Sequence, residues 1–224
     1  MANLGTTSAP AASCSAEAEV GVGWANSRTR RALDLVFATG GLLLVWPLLL
    51  ALALLVSLDS PGPPFFAQRR AGLRLQPFWM LKFRTMVRDA ERQLPDLRAQ
   101  ANLTGPVFKL EADPRVTQLG RWLRRTSLDE LPQLLNVVLG SMSLVGPRPL
   151  PLDQLDPAEP RFARRCDVPP GLTGLWQVQG RTMHTDYDRW LNEDCEYVDR
   201  ASPALDGDIL ARTWSAVRRG TGAY

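Results

Sequence analysis

The 24 residues from Leu35 to Leu58 carry no charge, and nothing else in this 224-residue chain constrains its fold as tightly. Roughly 20 apolar residues are enough to cross the hydrocarbon core of a bilayer. The run outlasts a signal-peptide core, and no small-x-small cleavage site lies just beyond it. A buried core helix is the competing reading. Arg28, Arg30 and Arg31 precede the run, while Arg69, Arg70, Arg74, Lys82 and Arg84 follow it. Basic flanks on both sides fit an arrangement in which both ends face the cytoplasm. Pro47 removes a backbone hydrogen bond near the middle and bends a helix there, and Gly40-Gly41 loosens the same region. The sequence therefore predicts a re-entrant membrane helix hairpin over residues 28–59 with its kink at Pro47; a kinked span is the alternative. Carbonyls freed by Pro47 need donors inside lipid, and Ser57 and Thr39 are the hydroxyls at hand.

Residues 1–27, rich in Ala, Ser, Gly and Thr, read as a disordered tail. Residues 60–224 read as a domain on the cytoplasmic membrane surface. Its first segment is a hairpin, Phe65–Arg70 and Gln76–Arg84 around Ala71-Gly72. A polar helix is expected over residues 86–101. Between Arg115 and Arg125, Val116, Leu119, Trp122 and Leu123 recur at helical spacing among arginines, an amphipathic pattern suited to a membrane surface. Next come a helix from Asp129 to about Leu139, closed by Gly140, and a connector from Leu150 to Pro160. Residues 169–181 read as a loop feeding a short strand, and Leu205–Arg219 as a last amphipathic helix. The expected class is α+β, mostly helical, with amphipathic interfacial helices and a small β-hairpin or sheet.

The chemistry concentrates in Thr126–Leu135, where Asp129 and Glu130 stand side by side behind Arg124 and Arg125. Pro132 has no amide hydrogen and fits a helix only in its first turn, so a helix start near Asp129 is predicted. The helix dipole there favours ionised carboxylates. An ionised carboxylate beside arginines suits attack on an anionic phosphorus centre. Ser127 and Glu130 also have capping-box spacing, so a plain helix start is the alternative. Gly146-Pro147-Arg148-Pro149 is a stiff turn that limits Arg148, whose guanidinium can grip a phosphate through two hydrogen bonds.

Composition narrows the field further. His184 is the single histidine, which argues against a His-based zinc site or a Ser-His-Asp triad. Cys14, Cys166 and Cys195 form no CxxC pair and read as reduced packing thiols. Of 26 basic residues only Lys82 and Lys109 are lysines. The basic balance comes with no nucleic-acid motif, so nucleic acid is not an expected partner.

Four motifs then appear in order: Lys82-Phe83-Arg84-Thr85-Met86, Leu128-Asp129-Glu130-Leu131-Pro132-Gln133-Leu134, Leu144-Val145-Gly146-Pro147-Arg148-Pro149 and Pro170-Gly171-Leu172-Thr173-Gly174-Leu175-Trp176-Gln177-Val178. Together, behind the hydrophobic run, they resemble the bacterial sugar transferase family, the small monotopic phosphoglycosyl transferases. The resemblance covers about Arg31 to Tyr224. Its details look most like the branch that starts exopolysaccharide and O-antigen synthesis with a hexose phosphate, and this chain looks like the minimal catalytic form.

The resemblance implies transfer of a sugar-1-phosphate from a UDP-sugar to undecaprenyl phosphate, with release of UMP. By it, Asp129 is the nucleophile that forms a covalent phospho-sugar intermediate, and Glu130 assists. Magnesium is the implied cofactor, with Asp129 and Glu130 as its candidate ligands. Lys82, Arg84 and Arg148 are the candidate phosphate-binding residues, and Gly174, Gln177 and Arg181 those for nucleotide and sugar. The implied place is the cytoplasmic face of a bacterial plasma membrane, with the bilayer itself as a partner; a homodimer is compatible with this. One departure stands out: Thr182-Met183-His184-Thr185-Asp186-Tyr187 replaces the polar, acidic stretch usual in the hexose-phosphate branch, so sugar choice does not carry over. A relative using an N-acetylated or deoxyamino sugar and a non-catalytic lipid-binding adaptor are the rival readings.

Overall fold

The computed structural model describes residues 19–95, 97, 113–156, 158–180 and 187–219. Residues 19–25 form helix α1, so the end of the segment expected to be a disordered tail is ordered. It is tied down: Trp24 Nε1 donates to Asp206 at 2.9 Å, and the Asn26 side chain donates to the Asp167 carbonyl at 2.9 Å. Ala25 is buried beneath it. Residues 1–18 lie outside the described residues.

Helix α2, Arg28–Asp59, is 32 residues long and starts on Ser27, whose hydroxyl accepts from the Arg30 amide. It is a single helix through Gly40, Gly41 and Pro47, roughly 48 Å at 1.5 Å per residue. The expected bend at Pro47 does not interrupt it. Ser57 does not serve the proline gap either, because its hydroxyl donates to the Ala53 carbonyl at 2.8 Å.

Burial along α2 follows one stripe. Arg30, Asp34, Ala38, Leu52 and Val56 are buried, and Leu42, Val45 and Leu49 fill the interval as partly buried neighbours of the core. These steps of three to four residues keep one helix face on the domain from end to end. The opposite face bares Val36, Phe37, Leu43, Leu44, Leu50, Leu54 and Leu58, each more than 60% exposed. A core helix would cover both faces, so that alternative fails. Among the described residues, α2 is the one helix long and apolar enough to cross a membrane.

After α2 the chain turns into strand β1, Phe65–Ala71, which pairs antiparallel with β2, Pro77–Phe83, in the register Phe65 to Phe83 and Ala71 to Pro77. The hairpin expectation holds. The polar helix expected from residue 86 does not start there: Met86 bridges Val116, and residues 88–93 are turns. The Val87 amide donates to the Arg115 carbonyl and the Thr117 amide to the Thr85 carbonyl, so extended pairing uses the backbone groups a helix would need. Residues 96 and 98–101 of that segment lie outside the described residues.

Helix α3, Gln118–Thr126, is capped by the Thr117 hydroxyl at the Gly120 amide and so starts later than the arginine-rich segment implies. Helix α4, Gln133–Leu139, ends at Gly140, where φ is +87°. Strand β3, Ser143–Val145, lies parallel to β4, Gly171–Thr173. Helix α5 is Pro160–Arg165, α6 Leu175–Gly180, α7 Tyr187–Arg200 and α8 Pro203–Arg219. The expected strand near residue 171 is therefore present, but a helix follows it, with Trp176 packed on Trp190 at 5.1 Å. The architecture is mostly helical with two small sheets, as expected.

Two core clusters seat α2. Ala38 packs with Met80, Leu134, Val137 and Met142, while Leu52 and Val56 pack with Phe83 and Leu123. Polar groups fix the register of its first turns. Arg31 donates to the Val137 and Val138 carbonyls at 2.5 and 2.8 Å, at the negative end of α4. Asp34 accepts from the Ser143 hydroxyl at 2.7 Å and the Leu144 amide at 3.0 Å. The start of α2 is thus bonded directly to β3.

Candidate active site

Asp129 sits in a 3₁₀ turn, Leu128–Glu130, between α3 and α4. Ser127 makes the corner: at φ +56° its backbone closes α3, donating to the carbonyls of Leu123 and Arg124. The capping box between Ser127 and Glu130 does not form, since the Ser127 side chain makes no cap bond. Nor is Asp129 in the first turn of α4, which begins at Gln133 with Pro132 as its cap residue. The helix dipole therefore does not set the state of this carboxyl.

Burial does. Asp129 is 9% exposed, and desolvation together with the neighbouring Glu130 charge pushes its pKa up to about 6. Lys82, Arg124 and Arg148 pull in the opposite direction. Lys82, next to last in β2, has its own pKa lowered to about 8, chiefly by burial and by the charges of Arg70 and Arg124. Its Nζ lies 5.1 Å from the centroid of the Phe66 ring. Asn136 on α4 joins the two halves of the site. It accepts from the Leu81 amide at 3.0 Å and donates to the Trp79 carbonyl at 2.7 Å, which clamps β2 against α4.

Arg148 closes the site from the other side, its Nη2 2.6 Å from Glu130 Oε1. Its turn follows β3 directly. Gly146 has φ +156°, and a Cβ there would stand 2.5 Å from the Pro169 carbonyl oxygen, so only glycine lets the turn lie on the Pro169-Pro170 segment that leads into β4. Lys82, the adjacent pair Asp129 and Glu130, and Arg148, from three separate stretches of sequence, thus converge. Arg70 and Arg124 add charge around them, so positive groups outnumber the two carboxylates.

Other sequence candidates are placed differently. Arg84 is turned away and donates to the carbonyls of Val56 at 3.2 Å, Ser60 at 2.5 Å and Pro61 at 3.1 Å. It latches the end of α2, and its phosphate role is withdrawn. A Cβ on Gly174 would meet the Gly146 carbonyl oxygen at 2.3 Å, so that glycine serves loop packing. Gln177 is 4% exposed and donates to the Leu172 carbonyl at 3.3 Å, behind the turn. Arg181 and His184 lie outside the described residues.

Residues 25–220 match the model of the family described as "Bacterial sugar transferase". The chain belongs to that family. Relatives are similar over most of this chain. The exopolysaccharide production protein ExoY of Rhizobium meliloti is 40% identical, covering 87% of this chain and 88% of its own length. A UDP-glucose:undecaprenyl-phosphate glucose-1-phosphate transferase of Caulobacter vibrioides is 42% identical, covering 87% of this chain and 72% of its own. The galactosyl transferase CpsE of Streptococcus agalactiae is 41% identical, again over 87% of this chain but 43% of its own length. This sugar transferase chain thus spans less than half of some relatives and nearly all of another.

Within this family member, the donor set suits magnesium only in part. Among the described residues no cluster of three or more His, Cys, Asp or Glu side chains exists that could enclose a metal ion. Magnesium, however, is commonly held by one or two carboxylates plus substrate phosphates and water. Asp129 and Glu130 fit that pattern with a diphosphate completing it.

Proposed function

We propose that this chain transfers a sugar-1-phosphate from a UDP-sugar to undecaprenyl phosphate at the cytoplasmic membrane surface. The observation that carries the reading is a buried carboxyl, Asp129, ringed by Lys82, Arg124 and Arg148 in a domain that lies along an exposed apolar helix. An Asp129 oxygen attacks the sugar-bearing phosphorus, and the bond from that phosphorus to the bridging oxygen breaks. UMP leaves with the bond's electrons. The phospho-sugar is then an acyl phosphate on Asp129, and a phosphate oxygen of undecaprenyl phosphate attacks the same phosphorus and releases the carboxylate. Lys82 and Arg148 bind the phosphate oxygens, while Glu130 holds Arg148 in place until they arrive. Asp129 and Glu130 would hold magnesium, which would supply charge neutralisation at the diphosphate. The names of relatives acting on UDP-glucose and undecaprenyl phosphate support the substrate class. UMP release from a panel of UDP-sugars, with and without undecaprenyl phosphate, tests it: no release with any donor rejects the reading.

A chelator should lower UMP release at least ~10-fold, with recovery on adding magnesium, since an unneutralised diphosphate raises the barrier by about 1.4 kcal/mol or more. Full activity in excess EDTA removes the metal from the scheme.

The pH profile follows from the two shifted groups. The nucleophile must be ionised, so kcat/KM rises with pH through about 6, where Asp129 loses its proton. The phosphate ligand must be charged, so kcat/KM falls again above about 8, where Lys82 loses its proton. Because Asp129 and Glu130 interact, the acid limb reports the pair. A flat profile from pH 5 to 7 would contradict this assignment.

The seam along α2 also supports a one-sided topology. The domain touches this helix near Arg30 and again near Val56, and a perpendicular span across roughly 30 Å of hydrocarbon would strip half of that seam away. We therefore place both ends of α2 on the cytoplasmic side, with its bare face in lipid as a re-entrant or in-plane helix. Cysteine labelling in the tail, after removal of the native thiols, is the check. Modification by an impermeant reagent from outside intact cells would show a true span.

A further inference from the structure

Pro147 and Pro149 flank Arg148, so Arg148 carries the only N–H in that tripeptide. Such a segment cannot be held by its own amide donors and must be held through its carbonyls. Each carbonyl is in fact claimed. The Gly171 amide donates to Pro147 O at 3.0 Å, Arg165 Nη2 to Arg148 O at 2.6 Å, and Arg70 Nη1 to Pro149 O at 3.0 Å. The same Arg165 Nη2 also donates to Asp194 Oδ2 on α7. The side chains of Arg165 and Asp194 are 3% and 1% exposed.

An ion pair this deep is costly to desolvate, and apolar residues of similar volume often serve stability as well or better. Its placement points to another purpose. Arg165 lies with its guanidinium 5.2 Å from the Trp190 ring, which together with Asp194 fixes its plane and aims one nitrogen at the Arg148 carbonyl. A small cleft of about 10 Å³, lined by Pro147, Pro149, Arg165 and Cys166, lies beside the turn. We infer that the buried Arg165–Asp194 pair is a positioning device for the transfer reaction: it holds the Arg148 backbone so that the guanidinium meets the transferring phosphate. Neither residue touches substrate. This rests on the phosphate-binding role proposed above for Arg148.

The test is a double-mutant cycle on the full chain in lipid nanodiscs, read as UMP release, with thermal melts of each variant. Arg148→Lys keeps charge but loses the two-point grip and should lower kcat about 10-fold. Arg165→Lys keeps the charge facing Asp194 but loses the fork that reaches both partners. It should also lower kcat about 10-fold, with KM for the UDP-sugar changed less than ~3-fold. If Arg165 acts through Arg148, the double variant falls no more than ~3-fold below Arg148→Lys alone. A multiplicative loss of about 100-fold means independent action and overturns the inference. Asp194→Asn, in the same cycle, provides a second route if Arg165→Lys does not fold. Failure of both to fold would assign the pair to stability and equally overturn it. A wild type silent with every UDP-sugar rejects the reaction itself, and the inference falls with it; the wild-type control tells these failures apart.

Discussion

Asp129→Asn is expected to lower sugar-phosphate transfer by at least ~10³-fold, about 4 kcal/mol of barrier. The substitution keeps shape and volume, removes the nucleophilic oxygen anion, and leaves Lys82, Arg124 and Arg148 around a neutral amide. Binding of the donor should survive, because those cations still face the diphosphate, so the loss falls on kcat rather than KM. Wild type given UDP-sugar alone should gain the mass of one sugar phosphate, and the asparagine variant should gain none. Two results would sink the covalent route. One is a variant with a tenth or more of wild-type turnover. The other is rapid quenching that finds no adduct on wild type while both substrates together react at full rate. Glu130→Gln should be the milder change, since it keeps an acceptor for Arg148 at the 2.6 Å contact.

The parts of this fold legible in the sequence were those written in contiguous residues. The apolar run of α2 announces itself by length, and the hairpin by its glycine turn between two aromatic segments. Asp129, Glu130, Lys82 and Arg148 were readable because each sits in a local motif, and the structure brings all four together. Arg84 misled because it stands two residues from Lys82, which in a continuing strand would put both on one face. The strand ends at Phe83, and Arg84 swings to the end of α2 instead. Helices α5 and α7 were missed: the first opens on a proline within a Pro-rich connector, whereas α7 does carry Trp190, Leu191, Tyr197 and Val198 at helical spacing, a signal legible in the sequence. The partners Asn136, Arg165 and Asp194 act across 17 to 57 residues of sequence, so only the folded chain reveals them. The helix-dipole argument for Asp129 failed, because its helix begins four residues later and burial raises the carboxyl pKa instead of lowering it.

Arg30→Ala should be the most damaging single change to stability. Arg30 lies at the start of the apolar helix yet is 3% exposed, and its guanidinium is fully engaged by the domain. Nε donates to Asp206 Oδ2 at 3.0 Å, Nη1 to the Ala25 carbonyl at 2.7 Å, and Nη2 to the Tyr197 hydroxyl at 2.9 Å and to the Val145 carbonyl. Truncation leaves the Asp206 carboxylate, itself 9% exposed, without its cation, and strands two carbonyls. Breaking one side of a buried pair costs about 3–5 kcal/mol. For a chain of this size each kcal/mol moves Tm by about 2–4 °C, so a fall of roughly 6–20 °C is expected. Arg28→Ala, two residues away on the exposed face, should move Tm by no more than about 2 °C. Equal melts for the two variants in the same nanodiscs would mean that the Arg30 network carries no net stability. The position of that network explains why it should matter beyond stability. Val145 precedes Gly146 and the Arg148 turn, so the residue that anchors the apolar helix also holds the strand leading into that turn. Loss of Arg30 should therefore lower transfer even at temperatures where the variant is folded, because the turn inherits the freedom of β3.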